Sequence, residues 1–386
     1  MADQSQQLGF YEFFAGGGMA RLGLGEKWQC LLANEICPKK ARSYRVNHTN
    51  HKSLVVDDVA NLHLNQLPPG AQLAWASFPC QDLSLAGNYA GLKGERSSTF
   101  WPFMEHVRNL VADGRPLPVI VLENVVGALI SNKGADFEAI LQALADEGYL
   151  VGPLVINAIH FVPQSRPRLF IVAVLRDNPE VTRLRANGPH PVWHPKQVVR
   201  AYDLLRATLK DFWVWWSLPD PPQANHHLED LIEVMPDGVR WHSAKETERL
   251  LSMMSEGNLK KVHMAKRLGK LTVGTIYKRT RRDNEGKRVQ RAEIRFDQIS
   301  GCLRTPAGGS SRQIIMLVKG NEIRSRLISP REAARLMGLA DNFILPERYN
   351  EAYHLLGDGL VVPVVSWLEK NLLNQLAAQS LLSQAA

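Results

Sequence analysis

The first 175 residues alternate short apolar runs with helix-length segments, and the runs end on chemically specific residues. Leu8 to Phe14 reads as a strand, Met19 to Lys27 as a helix, Trp28 to Ala33 as a strand, Lys39 to Asn47 as a helix and Leu54 to Val56 as a short strand. Strands ending at Phe78 and Leu122 follow, separated by a helix from Phe100 to Asp113. A helix from Ala135 to Gly148 and strands from Tyr149 to Ile159 and Leu169 to Val174 close the series. Such alternation predicts an α/β fold built on an open, mostly parallel sheet. Open parallel sheets take their ligands outside the carboxyl ends of the strands. Gly16, Glu35, Asp58, Cys80 and Glu123 each fall just past the end of a successive predicted strand, so that end is the expected active site.

Beyond residue 175 the rhythm breaks. Pro-rich stretches (189–195 and 219–222), an aromatic cluster (Phe212, Trp213, Trp215, Trp216) and a basic segment occupy the middle. This predicts a second domain over 179–326, smaller and irregular, with the Trp cluster as its small core rather than a base-stacking platform. The first domain spans 1–178. From Leu327 the pattern recovers: Ser329-Pro330-Arg331-Glu332 has a capping Ser, Pro at the first helical position and Glu at the third, opening a helix through Met337. Residues 327–386 are expected to return to the first domain.

Charge is concentrated in that middle. Lys260 to Arg295 holds 13 Lys and Arg against three acidic residues, an excess larger than the net +8 of the whole chain. A phosphate-binding surface requires such a patch, although a solvated basic face has the same composition. The 45% hydrophobic content is that of a globular protein, and no apolar stretch nears the roughly 18 residues that span a bilayer. The polar start, Met1 to Gln7, lacks signal-peptide order, so a cytoplasmic, monomeric protein with no membrane association is expected. Cys30, Cys37, Cys80 and Cys302 have neither metal-ligand spacing nor paired histidines nearby, so no metal site is expected.

Gly16-Gly17-Gly18 after the first strand lets a nucleoside approach the backbone. A dinucleotide fingerprint from Gly16 would need glycine at position 21, which is Arg21, and this disfavours a pyrophosphate cradle and a nicotinamide oxidoreductase. Glu35 is placed to accept ribose hydroxyls and Asp58 to meet an adenine amino group, though either acid could be a solvated loop charge. Pro79-Cys80-Gln81 offers a thiol, Glu123-Asn124-Val125 a carboxylate, and Gln164-Ser165-Arg166-Pro167-Arg168 two guanidiniums, each beside a predicted strand. Cys302, near Arg304 and Arg312, is a rival nucleophile without a matched carboxylate, read as structural or DNA-proximal.

In this order, together with Phe14 to Gly18, Asn34-Glu35, Asp58-Val59, Ser329 to Gly338 and Gly357-Asp358-Gly359, these segments resemble the C5-cytosine-specific DNA methyltransferase family of the bacterial restriction-modification type. Two departures stand out. Glu12 replaces the usual Asp before the glycine turn, and Asp358 stands where the family usually has Asn.

The resemblance implies the class I S-adenosylmethionine-dependent methyltransferase fold, helices on both sheet faces, and a target recognition domain in the basic middle. It implies S-adenosyl-L-methionine as cofactor, held by Phe14, Ala15, Gly16, Gly18, Glu35, Ile36, Asp58, Val59, Pro79 and Asp358. The implied partner is double-stranded DNA, with functional pairing to a restriction endonuclease and association with the nucleoid. Gln81, Ser84, Arg96, Lys278, Arg279, Arg281, Arg282, Arg304 and Thr305 would contact the DNA. Cys80 would attack C6 of a flipped cytosine, Glu123 would serve N3, Arg168 would hold O2, and Arg166 would brace the loop or the carboxylate. Two alternatives remain: tRNA cytosine-5 methylation, against which the long basic middle stands, and a catalytically silent DNA-binding regulator, against which the intact Cys80, Glu123 and Arg168 stand.

Overall fold

The computed structural model describes residues 7–79, 99–223, 226–282, 285–305 and 312–378. They form two compact units: residues 1–157, 167–221 and 362–386 make the first, and 158–166 with 222–361 make the second. These divisions depart from the sequence expectation, because 179–221 cluster with the first unit and 327–361 with the second.

The first unit is built on seven strands: β1 (Leu8–Phe13), β2 (Trp28–Asn34), β3 (Leu54–Val55), β4 (Ala71–Ala76), β5 (Val119–Asn124), β6 (Tyr149–Asn157) and β7 (Pro167–Leu175). Their order is β3-β2-β1-β4-β5-β7-β6, parallel except that β7 runs antiparallel to both neighbours. Every residue of β1 and β5 is buried, which follows from a sheet covered on both faces. The helix Phe100–Ala112 buries Phe100, Phe103, Met104, Val107 and Leu110, the spacing of one helical face. Each large apolar side chain so buried stabilises the unit by roughly 1.5–3 kcal/mol.

The register aligns the strand ends. Asn34 pairs with Val55 and Phe13, Phe13 pairs with Ala76, and Ala76 pairs with Leu122. Residues that follow these positions therefore emerge side by side.

The Trp cluster is not the core of a second domain. Two short strands, β8 (Arg185–Ala186) and β9 (Trp215–Trp216), form a ribbon, and the adjoining backbone runs along β6: Val151 donates to Phe212 O at 2.7 Å and Val214 donates back to Val151 O at 2.9 Å. Trp216 Nε1 donates to Gly152 O at 3.0 Å, and Trp213 packs into the main core. The aromatic segment thus covers the sheet edge that β6 would otherwise expose. At the other end of the chain, Ser366 donates to Gly23 O and Trp28 donates to Glu369, so the return to this unit begins at 362 rather than 327.

The second unit is more regular than its sequence suggests. Four antiparallel strands, β10 (Thr272–Arg282), β11 (Arg288–Arg295), β12 (Ile314–Lys319) and β13 (Glu322–Leu327), lie in the order β11-β10-β12-β13. With the helices Ala244–Ser252 and Glu256–Arg267 they enclose Leu250, Val262, Ile276, Ile294 and Met316. The predicted capping box forms: Ser329 Oγ accepts from Glu332 N and Glu332 Oε2 accepts from Ser329 N. Glu332 also receives both ends of the Arg326 guanidinium, at 2.6 and 2.7 Å, with neither side chain exposed. One local motif thereby anchors the end of β13 to the next helix.

Candidate active site

The glycine turn leaves β1 at Phe13. Phe14 and Gly16 each have φ of 58° and Gly18 has 77°, so the chain coils through left-handed backbone before the helix Met19–Leu24. A side chain at Gly18 would overlap His48 Nε2 and the Tyr44 ring, so this close approach excludes every other residue. His48 donates from Nε2 to Gly17 O at 3.1 Å. Burial first, and then Arg21, lower its pKa to about 4, so it supports the turn as a neutral ring.

Glu12 is buried in β1 beneath this turn. Its Oε1 accepts from Arg21 N at 3.3 Å, whereas Oε2 has no hydrogen-bond partner among the described residues. Burial pushes its pKa up to about 8, offset in part by the backbone N–H groups of Arg21 and Ala20 and the Arg21 charge. The sequence marked this position only as a departure, Glu for Asp.

Glu35 links two strand ends. One oxygen accepts from Gly16 N at 2.8 Å and the other from Cys37 N at 2.7 Å, while the neighbouring Ile36 is 60% exposed. A carboxylate has about four acceptor sites, so two are used here. Asp58 follows β3 and caps a short turn by accepting from Ala60 N at 2.9 Å. Val59 is buried, and its carbonyl accepts from His106 Nε2 at 2.7 Å. Ala15 is buried and donates from its backbone N–H to Asn34 O. The structure therefore brings Phe14, Ala15, Gly16, Gly18, Glu35, Ile36, Asp58 and Val59 to one end of the sheet.

Pro79 is exposed beyond β4. Cys80, Gln81, Ser84 and Arg96 lie outside the described residues. The approach to Cys80 is nonetheless tied down: Asn124 Nδ2 donates to Phe78 O at 3.1 Å, and Asn124 Oδ1 accepts from Val125 N. Asn124 thus joins the ends of β4 and β5, a positioning contact that the Glu-Asn-Val motif contained but did not reveal. Glu123, the residue before it, is buried at 8% exposure and faces Arg168, whose Nε lies 3.4 Å from Glu123 Oε1.

Arg166 behaves differently. It belongs to the second unit, 2% exposed, and donates to the carbonyls of Leu303 (2.8 Å), Gly357 (2.9 Å) and Gly359 (2.8 Å), with Nη1 3.5 Å from Cys302 Sγ. Arg166 thus holds three backbone carbonyls of the second unit, with the Cys302 thiol beside it. Gln164 assists, accepting from Leu303 N and donating to Leu336 O. Asp358, expected at the cofactor, accepts from Thr305 Oγ1, expected at DNA. Their closeness has a backbone cause, since a Cβ on Gly357 would fall 2.8 Å from Thr305 N. Arg304 stacks toward Tyr277 in the same unit. Lys278, Arg279, Arg281 and Arg282 lie on β10, in a regular strand rather than in an irregular loop.

The profile of the C-5 cytosine-specific DNA methylase family matches residues 8–374. The chain is 26% identical over 422 residues to the type II methyltransferase M.BanI of Aneurinibacillus aneurinilyticus, covering 93% of this chain and 94% of that one. It is 27% identical over 365 residues to the type II methyltransferase M.Bsp6I of Bacillus sp. (strain RFL6), covering 93% and 96%. Among solved structures, a Dnmt2 variant from Spodoptera frugiperda shares the fold with a TM-score of 0.61 at 17% identity, covering 96% of this chain and 99% of that one.

Proposed function

Because the chain belongs to the C-5 cytosine-specific DNA methylase family, we propose that it transfers a methyl group from S-adenosylmethionine to C5 of a cytosine flipped out of a specific duplex DNA sequence. The observation that carries this reading is the common end of β1, β2, β3, β4 and β5, where a glycine turn, two acids and the Glu123–Arg168 pair emerge together.

The residues present fit the cofactor. At Gly16 nothing among the described residues lies within 4 Å of where a side chain would begin, Glu35 keeps acceptor sites for ribose hydroxyls, and Asp58 is placed for an adenine amino group. Beneath the turn, Glu12 Oε2 is buried with no hydrogen-bond partner among the described residues. When bound, S-adenosylmethionine supplies an electrophilic methyl group.

The protein's own groups make the cytosine receptive. C5 of cytosine is too electron-poor to attack a methyl group until a nucleophile adds at C6. In this reading the Cys80 thiolate forms the C6–S bond, and the ring electrons move toward N3 and O2. Glu123 protonates N3 and Arg168 donates to O2, holding the displaced charge. Arg168 also fixes the carboxylate through its 3.4 Å contact. Once C5 carries the methyl group, loss of its proton restores the aromatic ring and expels the thiolate. A base stacked in a duplex hides this edge, which is why flipping is required.

The second unit would serve as the target recognition unit, with the positive charge of 260–295 held against phosphates. The type II names of the relatives support a protective role beside a restriction endonuclease. Bisulfite sequencing of DNA and tRNA from cells expressing the chain tests the whole reading. We expect 5-methylcytosine at one DNA word and no new mark in tRNA. Marks confined to tRNA, or none in either, would overturn it.

A further inference from the structure

The basic strand pair of the second unit continues beyond its sheet. β12 pairs with Thr272 to Ile276 of β10, whereas β11 pairs with Thr275 to Arg282. From Tyr277 onward β10 and β11 therefore form a two-stranded antiparallel ribbon, a shape that the major groove of DNA admits.

Strand alternation divides the ribbon into two faces. One face continues from the buried Ile276, Ala292 and Ile294 and carries Lys278, Arg282 and Arg288. The other begins at Tyr277, whose hydroxyl donates to Cys302 O at 2.5 Å, and carries Arg279 and Arg281 opposite Arg291 and Val289. Glu293 lies across from Tyr277 and accepts from Arg281 Nε at 2.6 Å, with Arg279 Nε 3.3 Å from its other oxygen. Arg279 also leans over the Tyr277 ring, 6.0 Å from its centroid.

Exposed ion pairs of this kind contribute little to stability. Their effect here is geometric, because one carboxylate and one anchored ring set the planes of two guanidiniums whose side chains remain 40% and 50% exposed. An arginine has five N–H donors, so Arg281, bound to Glu293 through Nε, keeps others for a second planar partner, and Arg279, held near the same carboxylate by charge, keeps its outer donors too. Guanine presents such a partner in the major groove through O6 and N7.

We propose that this ribbon enters the major groove and that Arg279 and Arg281 read guanine in the recognised word, while Lys278 and Arg282 on the opposite face grip phosphates. The proposal rests on the duplex-DNA reading above. It assigns sequence readout to one face and sequence-independent affinity to the other.

The test uses the full chain and duplexes carrying the word found by bisulfite sequencing, with each guanine replaced in turn by 7-deazaguanine, which lacks the N7 acceptor. For the unaltered protein, one or two replacements should slow methylation roughly 5- to 150-fold, the discrimination of a bidentate contact. Arg279→Gln or Arg281→Gln should abolish that sensitivity, and Arg281→Lys, which keeps the charge and loses the fork, should do the same while binding DNA. Lys278→Gln and Arg282→Gln should weaken all duplexes alike and reduce the salt slope by about 0.9 each. The ribbon is wrongly assigned if the unaltered protein ignores 7-deazaguanine everywhere, or if its sensitivity survives in both Gln variants. Failure to methylate any duplex would instead remove the underlying reading, and the ribbon with it.

Discussion

Arg168 reaches Glu123 because β7 runs against β5: Glu123 pairs with Phe170 and Asn124 with Leu169, so the start of one strand lies beside the end of the other. The guanidinium arrives at 3.4 Å from the carboxylate without any loop having to fold back. A parallel β7 would carry Arg168 to the opposite end of the sheet. This pairing ties the proposed ring-activating groups to the rigid part of the first unit.

Glu123→Gln keeps the shape of the side chain and loses its proton chemistry. We expect single-turnover methylation to slow by about 10²- to 10⁴-fold with DNA affinity within a few-fold of the parent. A variant with undiminished turnover would remove Glu123 from the chemistry.

Cys80 is tested by trapping. A target duplex with 5-fluorocytosine should accept the methyl group yet fail to release the protein, because fluorine does not leave as a proton does. A denaturation-resistant adduct should form only with S-adenosylmethionine present and map to Cys80. Cys80→Ser should lose adduct and turnover, since a hydroxyl is hardly ionised near neutral pH. An adduct on Cys302 would contradict the bracing role of that thiol beside Arg166.

Glu35 and Asp58 predict graded effects on cofactor binding. Glu35→Ala removes the acceptor of Gly16 N and Cys37 N as well as the proposed ribose partner, whereas Asp58→Ala removes one cap. With hydrogen bonds to charged groups worth about 1.5–3 kcal/mol, calorimetry should show S-adenosylmethionine affinity falling at least 10-fold for Glu35→Ala and less for Asp58→Ala. Equal affinity in both variants and the parent would place the cofactor elsewhere.

Glu12 predicts a pH dependence of stability. Its pKa rises from 4.5 to about 8 on folding. Between those values the folded protein holds a proton that the unfolded chain has released, so stability falls as pH rises through this window. Glu12→Gln cannot ionise and should flatten the decline in melting temperature between pH 5 and about 8, with the two proteins converging at the acid end. Parallel melting curves across that range would show that Glu12 does not carry the effect.

What the sequence revealed followed from local rules. The strand-end acids were legible because turn residues follow short apolar runs, and the Ser329 box because its partners are three residues apart. The direction of β7 was not legible, since an apolar run carries no sign of which way it pairs. Arg166 was ambiguous for the same reason: its carbonyl partners lie 137 to 193 positions away. β10 and β11 are not legible because Lys278 to Arg282 and Arg288 to Arg291 put charge on both faces and erase the period-two pattern of a half-buried strand. The Trp cluster reads as a core element, but its burial against β6 in the first unit depends on pairing that composition does not encode.

With the second unit as the proposed reader, the assignment of residues 158–166 to it bears on how recognition specificity could be exchanged between related chains. This short stretch is flanked on both sides by strands of the first unit, yet Gln164 and Arg166 hold Leu303 and the 357–359 turn. A chimera that transplants 222–361 alone would therefore arrive without its own brace. Recombination that preserves the proposed reader has to move two cassettes together, and inheritance of one without the other should leave a protein that folds its sheet but misaligns the loops at 303 and 357–359.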